Sequence, residues 1–221
     1  MSDDDAPRTD ASGTDASGSN ARHPFLSRVY DLKGDGMRDY YDQWADTYEA
    51  EVQANAYATP ARCAAALAAT GLAQDAAVLD FACGTGLSGA ALAEAGFTVI
   101  DGMDISDGML AKARARGLHR TLTLVPADAP PPVPHGAYAA IAAIGAIGPG
   151  AAPASVIAPL VDALAPGGYL VLSLNDVALA DAAFPDALAA EALRTETVFC
   201  DRGPHLPGID VQSTVYVLRA R

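Results

Sequence analysis

Basic side chains are scarce in this chain: 14 Lys and Arg stand against 27 Asp and Glu, a formal net charge of −13. That balance speaks against a nucleic-acid partner, because phosphate contacts need a cationic surface, and against binding to an anionic membrane face. Cysteine is scarce too. Cys63, Cys83 and Cys200 are odd in number, far apart and without metal-ligand spacing, so reduced thiols and a cytoplasmic location are expected. No apolar run reaches the ~18 residues of a membrane span. The opening Met1-Ser2-Asp3-Asp4-Asp5 lacks the basic end and apolar core of a signal peptide. Large apolar side chains are nearly missing from residues 1–24, where Asp, Ser, Thr, Gly and Ala dominate. Such a segment cannot offset its ordering entropy, and we read it as a disordered acidic tail. The remainder of the chain is different in kind: with 51% hydrophobic residues overall in 221 positions, there is ample material for one ordinary domain.

The stretch around which the rest is arranged runs Val78-Leu79-Asp80-Phe81-Ala82-Cys83-Gly84-Thr85-Gly86-Leu87-Ser88-Gly89. An apolar strand ends in an acid, turns through glycines and enters an alanine-rich helix, the opening unit of a doubly wound α/β domain. Gly84 and Gly86 admit φ > 0 and let a ligand approach backbone. The helix start offers unpaired N–H groups. Gly84-x-Gly86-x-x-Gly89 also matches the dinucleotide fingerprint, with Asp104 about 20 residues on. A carboxylate at the mouth of that loop, Asp80, repels a pyrophosphate and suits a positively charged ligand. For Cys83, a small side chain tolerated in a tight turn is a sufficient account.

Leu79-Asp80-Phe81-Ala82-Cys83-Gly84-Thr85-Gly86 resembles the first motif of the class I S-adenosylmethionine-dependent methyltransferases. Upstream, Tyr41-Asp42-Gln43-Trp44-Ala45-Asp46-Thr47-Tyr48-Glu49 resembles the opening of the Williams–Beuren-region methyltransferase-like group, and Tyr57, Pro60 and Arg62 follow as they do there. The likeness covers about Tyr40 to Asn175. It implies a Rossmann-like, mostly parallel seven-stranded sheet of order 3-2-1-4-5-7-6, with the seventh strand antiparallel and helices on both faces. It also implies S-adenosyl-L-methionine as cofactor, held by Asp80, Ala82, Cys83, Gly84 and Gly86 of the loop. Asp104 matches the ribose-binding acid, followed by Ile105 and Met109 beside the adenine. Asp128 would accept from the adenine amino group, with Ala129 next to it, and Gly145 would admit the methionine portion. Families with a catalytic metal carry a carboxylate near this last point. Here the chain reads Ile144-Gly145-Ala146, so no metal is expected.

The residues themselves support parts of this independently. Tyr40, Trp44, Tyr48 and Val52 recur every four positions from Met37 onward, one helical stripe. It packs a core, yet this region also gathers the only Trp and four of the eight tyrosines. Aromatic faces suit a sulfonium, which makes Tyr41 and Trp44 candidates on a helical lid over residues 25–72, ahead of the main domain at 73–221. Thr59-Pro60 starts a further helix, Thr59 as N-cap, and Arg62 in its first turn can hold a carboxylate or stand in solvent. Phe97 to Ile100 reads as the second strand. It ends at two candidate ribose acids, Asp101 and Asp104. Leu122–Val125, Ala137–Ile144 and Tyr169–Leu174 read as strands three to five. One helix is expected over Ala154–Leu164 and one over about Asp181–Leu193. Glu196–Cys200 and Gln212–Leu218 alternate as a closing strand pair, with Cys200–Gly208 as their connecting loop. His205 in that loop is a candidate base for the acceptor, set against the plainer reading of an exposed surface histidine.

No Ser/His/Asp or Cys/His arrangement stands out, so no catalytic residue is assigned. The expected activity is methyl transfer to a small-molecule acceptor. A nicotinamide-dependent oxidoreductase and a non-catalytic S-adenosylmethionine-binding adaptor are the competing classes.

Overall fold

The computed structural model describes residues 25, 26, 28, 29, 36–127 and 129–221. The tail read over residues 1–24 and the candidate adenine acid Asp128 lie outside the described residues. Within them, β1 (Ala77–Phe81), β2 (Val99–Asp104), β3 (Thr121–Leu124), β4 (Ala140–Ala143), β5 (Tyr169–Asn175), β6 (Thr195–Leu206) and β7 (Val211–Ala220) form one sheet of order β3-β2-β1-β4-β5-β7-β6. Strands β1 to β5 pair in parallel, and β7 runs antiparallel to both β5 and β6. The reversed β7 leaves β6 parallel to the first five, so its C-terminal end reaches their edge.

Alternation along the strands splits the core between the two faces. Leu79, Ile141, Leu170, Leu172 and Leu174 face one side and pack with Ile157 and Leu160 of α6 (Ile157–Asp162). Val78, Ile100, Val171, Val215 and Val217 face the other and pack with Cys63, Leu67 and Leu92 of α3 (Thr59–Ala68) and α4 (Leu87–Glu94). Alanines Ala64 and Ala91 at that contact let the two helices approach. A third cluster joins Leu26, Val29, Trp44, Val52, Met109 and Leu206.

Several boundaries differ from expectation for local reasons. The single helix expected from Met37 is two, α1 (Met37–Trp44) and α2 (Tyr48–Ala54). The break sets Trp44 between stacked Tyr41 and Phe25, with Tyr48 edge-on. Thr59 does not cap α3. The N-cap is Ala58, and the Thr59 hydroxyl instead meets His205 Nδ1 at 2.8 Å. The helix expected over Ala154–Leu164 opens with a 3-10 turn at Ala154–Val156. The one expected near Asp181 is two short helices, α7 (Asp176–Ala180) and α8 (Ala183–Ala190), with Asn175 Oδ1 capping α7. The expected Cys200–Gly208 loop is mostly strand. β6 continues to Leu206 because β7 offers pairing partners along its length, and a register shift between Pro204 and Leu206 accommodates a proline that cannot donate. Among the described residues no helix is long and apolar enough to cross a membrane.

Candidate functional site

The C-terminal ends of β1, β2 and β4 open into a cavity of about 690 Å³, within the range of roughly 300–1,000 Å³ that holds small ligands. Its floor is the β1 loop. Ala82 sits at φ 52 and Gly84 at φ 54, a conformation an L side chain adopts at a cost. Ala82, Cys83 and Gly84 line the cavity together with Asp104, Ile105, Met109, Ala129, Gly145 and Tyr41. Nine of the expected site residues thus share one wall system, although they come from five separate chain segments.

Asp104 is the polar centre of this wall. It is 7% exposed. Its Oδ2 accepts from the Gly84 amide and its Oδ1 from the Ser106 amide, each at 2.9 Å. Burial pushes its carboxyl above the usual range, against the pull of those amides. Asp101, the competing ribose acid, is engaged elsewhere. Its Oδ1 and Oδ2 take Arg120 Nε at 3.0 Å and Nη2 at 2.5 Å, and Tyr138 Oη donates at 3.1 Å. The guanidinium lowers its carboxyl to about 2.

The roof is the N-terminal pair of helices. Asp42 Oδ1 accepts from Ser106 Oγ at 2.5 Å and from the Gly108 amide at 3.0 Å, fastening α1 to the start of α5 (Asp107–Arg116). Glu49 pairs with Arg116 at 2.7 Å, and Arg116 Nε donates to the Thr85 carbonyl at 2.8 Å, which links α2 through α5 to the glycine loop. Tyr41 Oη donates to the Gly150 carbonyl at 2.9 Å. Met37, Tyr48 and Tyr57 complete the roof and Phe184 of α8 one side. Asp42 lies in the upstream motif without being singled out there, and Met37 and Phe184 carry no motif signal. Only the lid pattern itself could have drawn attention to Met37.

Four expected site residues do not line the large cavity. Trp44 is 2% exposed and packs among Phe25, Tyr40, Tyr41 and Tyr48. Arg62 donates to Asp201, Pro204 and Ser213, because the long β6 carries the first two and its partner β7 the third over the start of α3. Gly86 at φ 87 turns the chain into α4, and a Cβ there would meet Ala113 Cα at 3.3 Å, so its role is to seat the loop on α5. Asp80 lies beneath the loop, not at its mouth. It is fully buried, with Oδ2 accepting from Ser88 Oγ at 2.8 Å and bonded to His119 Nε2 at 2.9 Å. Its charge therefore acts on Cys83 and Asp104 from beneath the loop, and not from the loop's mouth as expected. Asp80, Cys83 and His119 hold their polar atoms within 4.8 Å of one another, and the carboxylate and imidazole bond each other at 2.9 Å. Burial pushes the Cys83 thiol up, and the nearby Asp80 and Asp104 carboxylates add to that, which keeps it protonated and unreactive.

Comparison with known proteins agrees with this architecture. Residues 78–168 match the family described as Methyltransferase domain. Methyltransferase-like protein 27 of Homo sapiens is 37% identical over 137 residues, covering 61% of this chain and 56% of that protein, so the chain spans about half the length of the curated relative it matches. Among solved structures, the Haloferax volcanii methyltransferase in complex with the Trm112 activator is similar at a TM-score of 0.58, 15% identical, covering 81% of this chain and 97% of that one. The geranyl diphosphate C-methyltransferase of Streptomyces coelicolor A3(2), solved with Mg2+, geranyl-S-thiolodiphosphate and S-adenosyl-L-homocysteine, is similar at 0.53, 15% identical, covering 71% and 75%. These likenesses describe the fold. With the sheet order and the reversed seventh strand, the chain is similar over residues 78–168 to the methyltransferase domain family.

Proposed function

We propose that this chain is an enzyme that transfers the methyl group of S-adenosyl-L-methionine to a small-molecule acceptor. The observation that carries this reading is Asp104. Its oxygens accept from the Gly84 and Ser106 amides, with the Ile105 amide also directed at the carboxylate, and the held carboxylate lines the cavity, where it can accept from ribose hydroxyls. The rest of the wall fits the same ligand. Ile105, Met109 and Ala129 give an apolar slot for a base. Gly145, at φ +63, lacks the Cβ that would collide with Tyr57 Oη at 2.1 Å. The backbone there stays open to the amino-acid portion.

When bound, held by Asp104, Ile105 and Met109, the cofactor supplies a methyl group already activated by the sulfonium to an acceptor lone pair, with the electron pair of the broken C–S bond left on sulfur. The protein's part is to hold the acceptor in line, which can contribute roughly 7–11 kcal/mol. The α1–α2 roof covers one side of the cavity, and the aromatic lining at Tyr41, Tyr48 and Tyr57 suits a cationic centre. The cavity is a concave space of about 690 Å³ beneath α1 and α2, a size suited to a small acceptor beside the cofactor. Incubation with methyl-labelled S-adenosylmethionine and a fractionated cell extract tests the reading. Label in the low-molecular-mass fraction, lost in Asp104→Ala, is the expected result. Label confined to protein or nucleic acid overturns the small-molecule acceptor.

A further inference from the structure

His205 is not an exposed loop residue. It sits near the end of β6, 8% exposed, edge-on to Tyr57 with ring centroids 5.2 Å apart. It lines a side cavity of about 70 Å³ that shares Tyr57, Gly145 and Gly148 with the large one. Along the sheet, Asp104 and Ala129 follow β2 and β3, and Gly84 and Gly145 follow β1 and β4. The side cavity continues this line past β4 toward β5, beyond the end where the methionine portion is placed.

A hydrogen-bond relay sets the ring's tautomer. Arg62 Nη1 donates to Ser213 Oγ at 3.1 Å. Ser213 Oγ lies 3.0 Å from Thr59 Oγ1, which lies 2.8 Å from His205 Nδ1. Arginine only donates, so the Ser213 oxygen accepts there. Its own buried hydrogen has Thr59 as its acceptor among the described residues. Thr59 then passes its hydrogen to Nδ1, and the ring proton belongs on Nε2. Among the described residues Nε2 has no hydrogen-bond partner. Burial first, and the Arg62 charge second, hold the imidazolium down to about 4. At neutral pH the ring is therefore a donor, not a base.

Resting on the methyltransferase reading, we propose that His205 Nε2–H marks the acceptor subsite and selects a substrate presenting an unprotonated oxygen, a carboxylate or phenolate, on a small apolar body. Such an oxygen attacks without giving up a proton, which matches a site whose histidine cannot take one. A cationic amine finds no acceptor on Nε2; of the charges acting on the ring, Arg62, itself paired with Asp201, opposes a cation and Asp176 favours one.

The test uses the full chain. Nitrogen-15 spectra of the histidine rings, recorded without cofactor, should show His205 as the Nε2–H tautomer with no titration between pH 6 and 8. Benzoate titrated into protein saturated with S-adenosylhomocysteine should perturb that ring, whereas benzylammonium should not. His205→Phe should weaken benzoate about tenfold or more with cofactor affinity unchanged, and His205→Gln, which keeps a donor, should retain most of it. Thr59→Val, which leaves the ring in place, should mix the tautomers. An Nδ1–H tautomer, equal binding of benzylammonium, or undiminished benzoate binding in His205→Phe overturns the subsite. Failure of S-adenosylhomocysteine to bind overturns the methyltransferase reading instead, and the ring spectra, which need no cofactor, separate the two failures.

Discussion

The backbone amide of Gly84 donates to Asp104 Oδ2 at 2.9 Å, tying the loop after β1 to the end of β2. Since the other oxygen takes the Ser106 amide, one carboxylate orients both turns that floor the cavity. Ser106 in turn caps α5 through Met109 and donates to Asp42 of the lid. Floor and roof are therefore joined through two side chains.

Asp104→Ala should lower affinity for S-adenosylhomocysteine by at least an order of magnitude, since charge-assisted hydrogen bonds are worth about 1.5–3 kcal/mol each. Burial raises the Asp104 carboxyl above its ordinary 3.8. A protonated Asp104 offers one fewer acceptor, so cofactor affinity should fall on acidification with a midpoint above that value. Calorimetry across a pH series checks both. Unchanged affinity in the variant moves the ribose role elsewhere.

Gly145→Ala should destabilise the protein by roughly 1–2 kcal/mol from the left-handed backbone alone, and by more from the contact with Tyr57 Oη at 2.1 Å. Adding Tyr57→Phe removes that oxygen and leaves the next atom, Tyr57 Cζ, at 3.4 Å. The double variant should thus be more stable in urea than Gly145→Ala. Additive losses would contradict the contact.

Strands β1, β2, β4 and β5 were legible because their apolar runs are short and largely buried. The order 3-2-1-4-5-7-6 was legible only through resemblance, since nothing in β7 itself reveals that it runs antiparallel. Position in the motif located Ala82, Gly84 and Asp104 on the cavity. It misled at Asp80, because a strand-end acid points up or down according to a pleat that one residue of register reverses. Its partner His119 precedes β3 by sequence, and only the packing of Gly89 and Gly102, which leave room for the ring, brings it under the loop. Arg62 and His205 were separated by the assumed loop at Cys200–Gly208, and the extension of β6 is what joins them.

The pH dependence of folding carries a signature of His205. Its pKa is about 4 in the fold and about 6.5 when unfolded, so between these values the unfolded chain binds more protons. Stability should then rise as pH climbs from about 4 to about 6.5 and hold above it. The contribution is on the order of 3 kcal/mol. Urea denaturation at pH 4.5 and 7.5 should show a smaller difference for His205→Gln than for the parent chain. An identical difference would place the ring in water.

If residues 37–57 close over the cofactor, their amides should exchange with deuterium more slowly once S-adenosylhomocysteine is bound. Asp42→Ala, which removes the acceptor of Ser106 Oγ and the Gly108 amide, should reduce that protection. Equal exchange in the free and bound states would return Tyr41 and Trp44 to packing alone.

Calorimetric titration of the same protein with S-adenosylhomocysteine and with NAD tests the central claim most directly. The Gly84-x-Gly86-x-x-Gly89 spacing is compatible with either ligand, and Asp80 does not face the cavity to decide between them. The predicted result is micromolar or tighter binding of S-adenosylhomocysteine, abolished or much weakened in Asp104→Ala, and no measurable binding of NAD. Saturable binding of NAD with none of S-adenosylhomocysteine would contradict it.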